Sequence, residues 1–309
     1  MKIAFLGTPA FALPSLDMLF NSGHTLAAFT QPDRPVGRRG APVPPPVKEY
    51  ALSHGIPVLQ FERIRSEEGL SALTAFAPDL MVTAAFGQIL SAYNLAVPKY
   101  GCINVHGSLL PKYRGAAPIQ WAVIQGETTT GVTTMFTDVG LDTGDILLTD
   151  TVDILPDETA GELYTRLSEV GAGTLKRTLE ALESGTLVRI PQDEAQATHC
   201  TMLKKEHGKL DFSAPAQAVH DRVRGTNPWP GAYALLDGAP FKIWRTRRAA
   251  IPVASAAPGA LIGDAKAGLF VCCGDGRALE LLEVQAPGSK RLDAKTFLRG
   301  HSVAGKQLT

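Results

Sequence analysis

The chain has 309 residues, of which 45% are hydrophobic and 19% charged, and its formal net charge is zero. This is ordinary for a globular protein with a proper core, in one large domain or two smaller ones. No stretch reaches the roughly 18 uninterrupted apolar residues of a membrane span, and the four cysteines (Cys102, Cys200, Cys272, Cys273) have the spacing of neither a disulfide framework nor a zinc site.

In chain order, the opening MKIAFLGTPAFALP has an apolar run that Gly7 and Pro9 cut short. That is too little for a signal peptide, and it reads as a first strand entering a turn. KIAFLG (2–7), TLAAFT (25–30), LMVTAAF (80–86) and CINVH (102–106) are short, apolar and free of proline, as strands buried on both faces of a parallel sheet are. Helical candidates lie between and after them at 13–23, 46–55, 66–77 and 117–126; the first two end on Gly23 and Gly55, where a C′ glycine is common. Such alternation predicts right-handed crossovers and a doubly wound, Rossmann-like α/β sheet. Over 159–182, Leu163, Leu167, Val170, Leu175 and Leu179 mark one face of a long helix.

The pattern changes near residue 185. Residues 186–208 lack periodicity and read as a linker, and AYALLDG, FKIWRTRRA, GALIG, GLFVCCGDG and ALELLEVQ follow as short strands punctuated by glycine. We expect a catalytic domain over 1–188, a linker over 189–207 and a small β-barrel-like domain over 208–309. Charge divides along the same line: residues 204–309 carry 16 Lys/Arg against 9 Asp/Glu, so that the rest is acidic. A basic half of this kind points to a polyanionic partner.

If CINVH is a strand, Asn104 and His106 share one face while Ile103 and Val105 take the other. They would sit at the strand's C-terminal end, where open α/β sheets place their ligand crevice. The loop DVGLDTGD (138–145) supplies three carboxylates, and spacing alone does not select one of them. An amide with an imidazolium can stabilise an oxyanion, and a carboxylate can hold the ring protonated. No nucleophile elbow accompanies the set, which suits acyl transfer by direct attack of an acceptor. GTPAF after the first strand is not a dinucleotide fingerprint, no phosphate-binding P-loop occurs, and no histidine grouping has metal-ligand spacing. A metal is not expected.

The segment NVHGSLLPKYRGAAPIQWAVIQGETTTGVTTMFTDVGLDTGDIL (104–147) resembles the signature region of the folate-dependent formyltransferases. KIAFLGTPAFALPSL, FTQPDRPVGR, PPVK and VRGTNPWPGAY extend the resemblance, in order, over essentially the full length. It implies a Rossmann-like domain followed by an OB-like β-barrel, 10-formyltetrahydrofolate as formyl donor, and the α-amino group of methionine on initiator tRNA as acceptor. It also implies Asn104, His106 and Asp142 as the catalytic positions: the amine attacks the formyl carbon, Asn104 and protonated His106 stabilise the oxyanion, and Asp142 keeps His106 charged and helps relay a proton. Folate contacts are expected at Phe86, Gly87, Gln88, Ile89 and Leu90, and at Ser108, Leu109, Leu110 and Pro111. For tRNA, the resemblance points to the basic loop 31–48 with Arg34, Arg38, Arg39 and Lys48, Arg38 matching the family's key arginine. The loop departs from the family in running GAPVPPP after the arginines. Lys204, Lys205, Lys209, Arg245, Arg247 and Arg248 are further candidates for phosphate contact. A cytoplasmic monomer is expected. The competing reading is a folate-dependent formyltransferase acting on an amino-sugar nucleotide, which needs neither the basic half nor the arginine loop.

Overall fold

The four apolar runs become neighbouring strands of one sheet. The computed structural model describes residues 1–35, 40–252, 256–264 and 266–309. The sheet's strands are β1 (Lys2–Gly7), β2 (Thr25–Thr30), β3 (Val58–Gln60), β4 (Leu80–Ala84), β5 (Cys102–His106), β6 (Thr129–Phe136) and β7 (Ile146–Asp153), in spatial order β7-β6-β5-β4-β1-β2-β3. The five strands β1 to β5 are mutually parallel and β6 runs antiparallel to β5. The order reverses between β1 and β4, the point at which doubly wound sheets open a crevice beyond the strands' carboxyl ends. The expected Rossmann-like class is therefore the observed one.

Burial follows the sequence pattern. Ile3, Ala4, Phe5 and Leu6 of β1 and Leu80, Met81 and Val82 of β4 are fully buried, as strands covered on both faces require. The helices α1 (Leu13–Asn21), α2 (Pro46–Ser53), α3 (Glu67–Phe76) and α4 (Ala92–Leu95) fall between strands. Gly23 and Gly55 stop α1 and α2 in the left-handed conformation, at φ +76° and +68°. A short helix, α5 (Pro118–Ile124), precedes β6, and the long helix α6 spans Ala160–Glu183. A reciprocal cap starts α6: Glu162 accepts from the Thr159 N–H and Thr159 accepts from the Glu162 N–H. Gly171 of α6 lies against Val105, where a Cβ would come within 2.9 Å of the valine side chain. Close helix packing thus covers the face of β5 opposite Asn104 and His106.

The chain divides into two compact units, the first holding Met1–Gly115, Gly131–Val152 and Tyr164–His199, the second Ala116–Thr130, Asp153–Leu163 and Cys200–Thr309. The second unit carries an antiparallel, barrel-like sheet of strands β8 (Ala232–Leu236), β9 (Ala239–Pro252), β10 (Leu261–Asp264), β11 (Gly268–Cys272) and β12 (Arg277–Gln285), in order β8-β9-β12-β11-β10. β9 pairs with β12 through several register shifts, the irregularities that bend strands in small barrels. Two helices that the pattern did not predict, α7 (Ala216–Gly225) and α8 (Ala294–Gly300), complete its core with Val219, Val223 and Phe297.

Candidate active site

β5 is buried along its length except at Asn104, which is partly exposed. Its register with β4 sets Asn104 beside Thr83, and the Thr83 hydroxyl donates to Asn104 Oδ1 at 2.8 Å. That bond aims the amide nitrogen the other way, and Nδ2 has no partner among the described residues. An accessible, oriented N–H donor is what an oxyanion site needs.

Two residues on, His106 is only 6% exposed. Its Nε2 lies 3.0 Å from the Tyr113 carbonyl oxygen, and its Nδ1 faces Asp142 Oδ2 at 3.7 Å. Both ring nitrogens therefore face oxygen atoms, Nε2 within hydrogen-bond distance and Nδ1 at ion-pair distance. Asp142 lies in the loop between β6 and β7 at φ +55°, a conformation that asparagine and aspartate adopt more readily than most side chains. Its Oδ2 accepts the Gly115 N–H at 2.8 Å. Of the three loop aspartates, Asp142 is thus the one that faces the ring. Asp138 accepts from Gly140 N and the Thr143 hydroxyl, and Asp145 pairs with Arg189. At the start of the same strand, burial pushes the Cys102 thiol up to about 12, so it is no thiolate nucleophile at neutral pH.

The two loops expected to meet folate are built differently. In the loop after β4, Phe86 and Leu90 belong to a buried cluster with Leu6, Phe29 and Ile64, while Ile89 is 71% exposed. The Gln88 side chain bridges Ile64 N–H and Phe61 C=O, and Gly87, at φ +76°, has no room for a Cβ beside the Gln31 amide. Ile89 with the Gly87 backbone is the surface this loop presents. After β5, Ser108 is fully buried and its hydroxyl donates to Lys112 C=O; Thr133 ties Ser108 C=O to the Leu110 N–H. Leu110 is buried, whereas Leu109 and Pro111 are partly exposed.

Among the basic residues, Arg34 is exposed and paired with Glu62, whereas Arg38 and Arg39 lie outside the described residues. Lys48 is bound by both oxygens of Asp33 and by Gln60. That hydrogen bonding holds the Asp33 carboxyl below its usual range. Lys204, Lys205 and Lys209 are exposed around a 3₁₀ turn at Lys205–Gly208. Arg245 and Arg247 are paired with Glu162 and Glu280, and Arg248 donates to Gln217.

The pattern reading missed two contributors. Thr83 looks like one more β-branched strand residue, and only the register with β5 gives its hydroxyl a role. Gln192 lies in the aperiodic stretch after α6, yet both hydrogen bonds donated by its amide go to the loop carrying Asp142, at the carbonyls of Asp142 (2.8 Å) and Gly144 (2.7 Å).

The fold is that of an α/β enzyme, with an amide donor, a histidine and a carboxylate gathered at the carboxyl ends of its doubly wound sheet. The formyl transferase family model matches residues 1–179 and the formyl transferase C-terminal domain model residues 202–302, and the chain belongs to the formyl transferase family. The methionyl-tRNA formyltransferase of Trichlorobacter lovleyi is 49% identical to it, over 98% of this chain and 95% of that protein. The enzyme of the same name from Ruminiclostridium cellulolyticum is 48% identical over 98% of this chain and 97% of its own. A solved sugar 3N-formyl transferase, WlaRD, crystallised in the presence of dTDP and 5-N-formyl-THF, has a TM-score of 0.70 at 17% identity, covering 94% of this chain and 99% of its own. At that identity it shares the fold.

Proposed function

We propose that this formyltransferase moves a formyl group from 10-formyltetrahydrofolate to the α-amino group of methionine on initiator tRNA, with Asn104, His106 and Asp142 as its catalytic residues. The observation that carries the site assignment is the arrangement at the end of β5: an Asn104 amide turned outward by Thr83, beside a histidine facing Asp142. The acceptor follows from relatives that share nearly half their residues with this chain along its whole length.

The donor supplies an activated formyl carbon. The free amine forms a bond to that carbon, the carbonyl oxygen takes up negative charge, and the bond to the folate nitrogen breaks as the amine loses a proton and the folate nitrogen gains one. Asn104 Nδ2–H meets the developing charge directly. The His106 Nε2 proton rests on the neutral Tyr113 carbonyl, and an oxyanion outcompetes such an acceptor because charge-assisted bonds are roughly twice as strong. Asp142 balances the positive ring. Attack is direct, without an acyl-enzyme, in keeping with the absence of a nucleophile elbow in the sequence.

The residues fit a folate: Ile89 offers an exposed apolar contact, the Gly87 backbone lies open beside it, and Leu109 and Pro111 are partly exposed after β5. Phe86, Gln88, Leu90, Ser108 and Leu110 would act by shaping those loops. For tRNA we propose phosphate contacts from Arg34, Arg38, Arg39, Lys204, Lys205 and Lys209. We also propose a catalytic domain over 1–188, a linker over 189–207 and an OB-like tRNA-binding domain over 208–309, acting as a cytoplasmic monomer. Four free, buried cysteines support a reducing compartment, and among the described residues no helix is long and apolar enough to cross a membrane.

The test gives the purified protein 10-formyltetrahydrofolate with either methionyl initiator tRNA or an amino-sugar nucleotide and measures formylated product. Formyl-methionyl-tRNA is the expected product. Formylation of the sugar alone would overturn the assignment of the acceptor.

A further inference from the structure

Asp142 sits in a loop whose tip is open to solvent. Its neighbours Val139 and Leu141 are 77% and 63% exposed, and its own backbone is left-handed at φ +55°. Besides the Gly115 N–H on its carboxylate, its backbone is held from beyond α6. Gln192 Nε2 donates to the carbonyl oxygens of Asp142 and Gly144, at 2.8 and 2.7 Å. Gln192 Oε1 accepts from Arg114 Nε at 3.0 Å. Arg114, 1% exposed, sets both terminal nitrogens on the Glu194 carboxylate at 2.7 and 2.9 Å. That pairing holds the guanidinium above its ordinary pKa and the Glu194 carboxyl below its own.

Arg114 is also flanked by the two backbone groups that touch the catalytic side chains. The preceding Tyr113 carbonyl holds His106 Nε2, and the following Gly115 N–H holds Asp142 Oδ2. One hydrogen-bonded unit, running Glu194–Arg114–Gln192, therefore reaches the imidazole, the carboxylate and the backbone that carries the carboxylate. The chemistry of position 192 is narrow. A side chain there must donate two hydrogens to carbonyls and accept one from a guanidinium, which a carboxamide does. A carboxylate lacks the donors, and a lysine or arginine lacks the acceptor.

We propose that Gln192 is a positioning residue for formyl transfer, fixing the loop so that Asp142 stays on the His106 ring. The proposal rests on the reading of Asp142 as catalytic. Gln192→Glu is the sharpest variant, since it keeps the size and the acceptor for Arg114 while deleting both donors; Gln192→Ala and Asp142→Ala accompany it. Steady-state formylation of methionyl initiator tRNA gives kcat and both KM values, and far-UV circular dichroism with Tm reports folding. In Gln192→Glu we expect kcat to fall about ten- to thirtyfold, the order of two lost hydrogen bonds. Both KM values should stay within about twofold, because uniform binding is untouched. Gln192→Ala combined with Asp142→Ala should be no slower than Asp142→Ala alone, since residues acting through one another are non-additive. A wild-type kcat in Gln192→Glu beside a slow Asp142→Ala would overturn the proposal alone. Full multiplication of the two losses in the double variant would do the same. A wild-type kcat in Asp142→Ala would remove the catalytic reading itself, and the proposal with it.

Discussion

Thr83→Val tests whether the orientation of Asn104, rather than its mere presence, serves the reaction. Valine keeps the shape of threonine at this 7% exposed position but deletes the hydroxyl that donates to Asn104 Oδ1 at 2.8 Å. A partly buried bond of this kind contributes about 1 kcal/mol net, which favours the amide orientation it selects by a factor of roughly five. Without it the two orientations become nearly equal in energy, and about half the molecules turn a carbonyl oxygen towards the developing oxyanion. That orientation is unproductive, so the productive share drops from about five-sixths to one-half and kcat should fall about 1.7-fold, with little change in Tm. Asn104→Ala, which removes the donor outright, should lose about 10²–10³. Thr83→Ser restores the hydroxyl and should recover most of the rate. The measurement is single-turnover formylation at saturating folate, alongside thermal melts. A Thr83→Val enzyme with undiminished kcat would refute the reasoning, and so would a Thr83→Ser enzyme as slow as Thr83→Val.

Three further outcomes are expected. Gly144→Ala would place a Cβ 1.8 Å from the Phe136 carbonyl oxygen; the loop must shift, at a cost of about 1–3 kcal/mol, and both kcat and Tm should drop. Wild-type values for both would contradict this packing. His220, buried against Thr246 and the Pro156 carbonyl with Asp157 at 3.4 Å, is held below its ordinary 6.5, chiefly by burial. The unfolded chain therefore takes up the proton first as pH falls. The stability of the unit is kept above about pH 6.5 and lost progressively below it, and His220→Gln should flatten that part of a Tm-against-pH curve; an unchanged slope would exclude His220 as its source. Replacing Lys204, Lys205 and Lys209 together by alanine should weaken tRNA binding and reduce the log–log salt slope by about 0.7–0.9 per lost phosphate contact. An unaltered slope would remove these lysines from the interface.

The sequence alone carried β1, β2, β4 and β5, because strands buried on both faces must be continuously apolar, whereas β3 at Val58–Gln60 was not among the strands expected. KIAFLG, TLAAFT and CINVH occupy the β1, β2 and β5 positions expected of them. LMVTAAF ends early, at Ala84, because Ala85 turns left-handed at φ +47°. The barrel strands were legible as short runs punctuated by glycine. Helix α7 was not, since His220, Asp221 and Arg224 are all buried in it and bond to Thr246, Gln217 and one another. Its short apolar stripe of Ala216, Val219 and Val223 is flanked by these buried charged groups, which blurs the period in the sequence. The period of two in a strand also puts Asn104 and His106 on one face.

Tertiary structure decided what those side chains face. Three aspartates in DVGLDTGD are equivalent as a pattern, and only the path of the loop brings Asp142 to His106 while Asp145 turns to Arg189. It likewise gave Thr83 and Gln192 their partners at separations of 21 and 50 residues. Local sequence encodes which residues are apolar and at what period, since those preferences act within a few residues. A hydrogen bond between distant segments depends on strand register and loop closure, which only the packed chain determines.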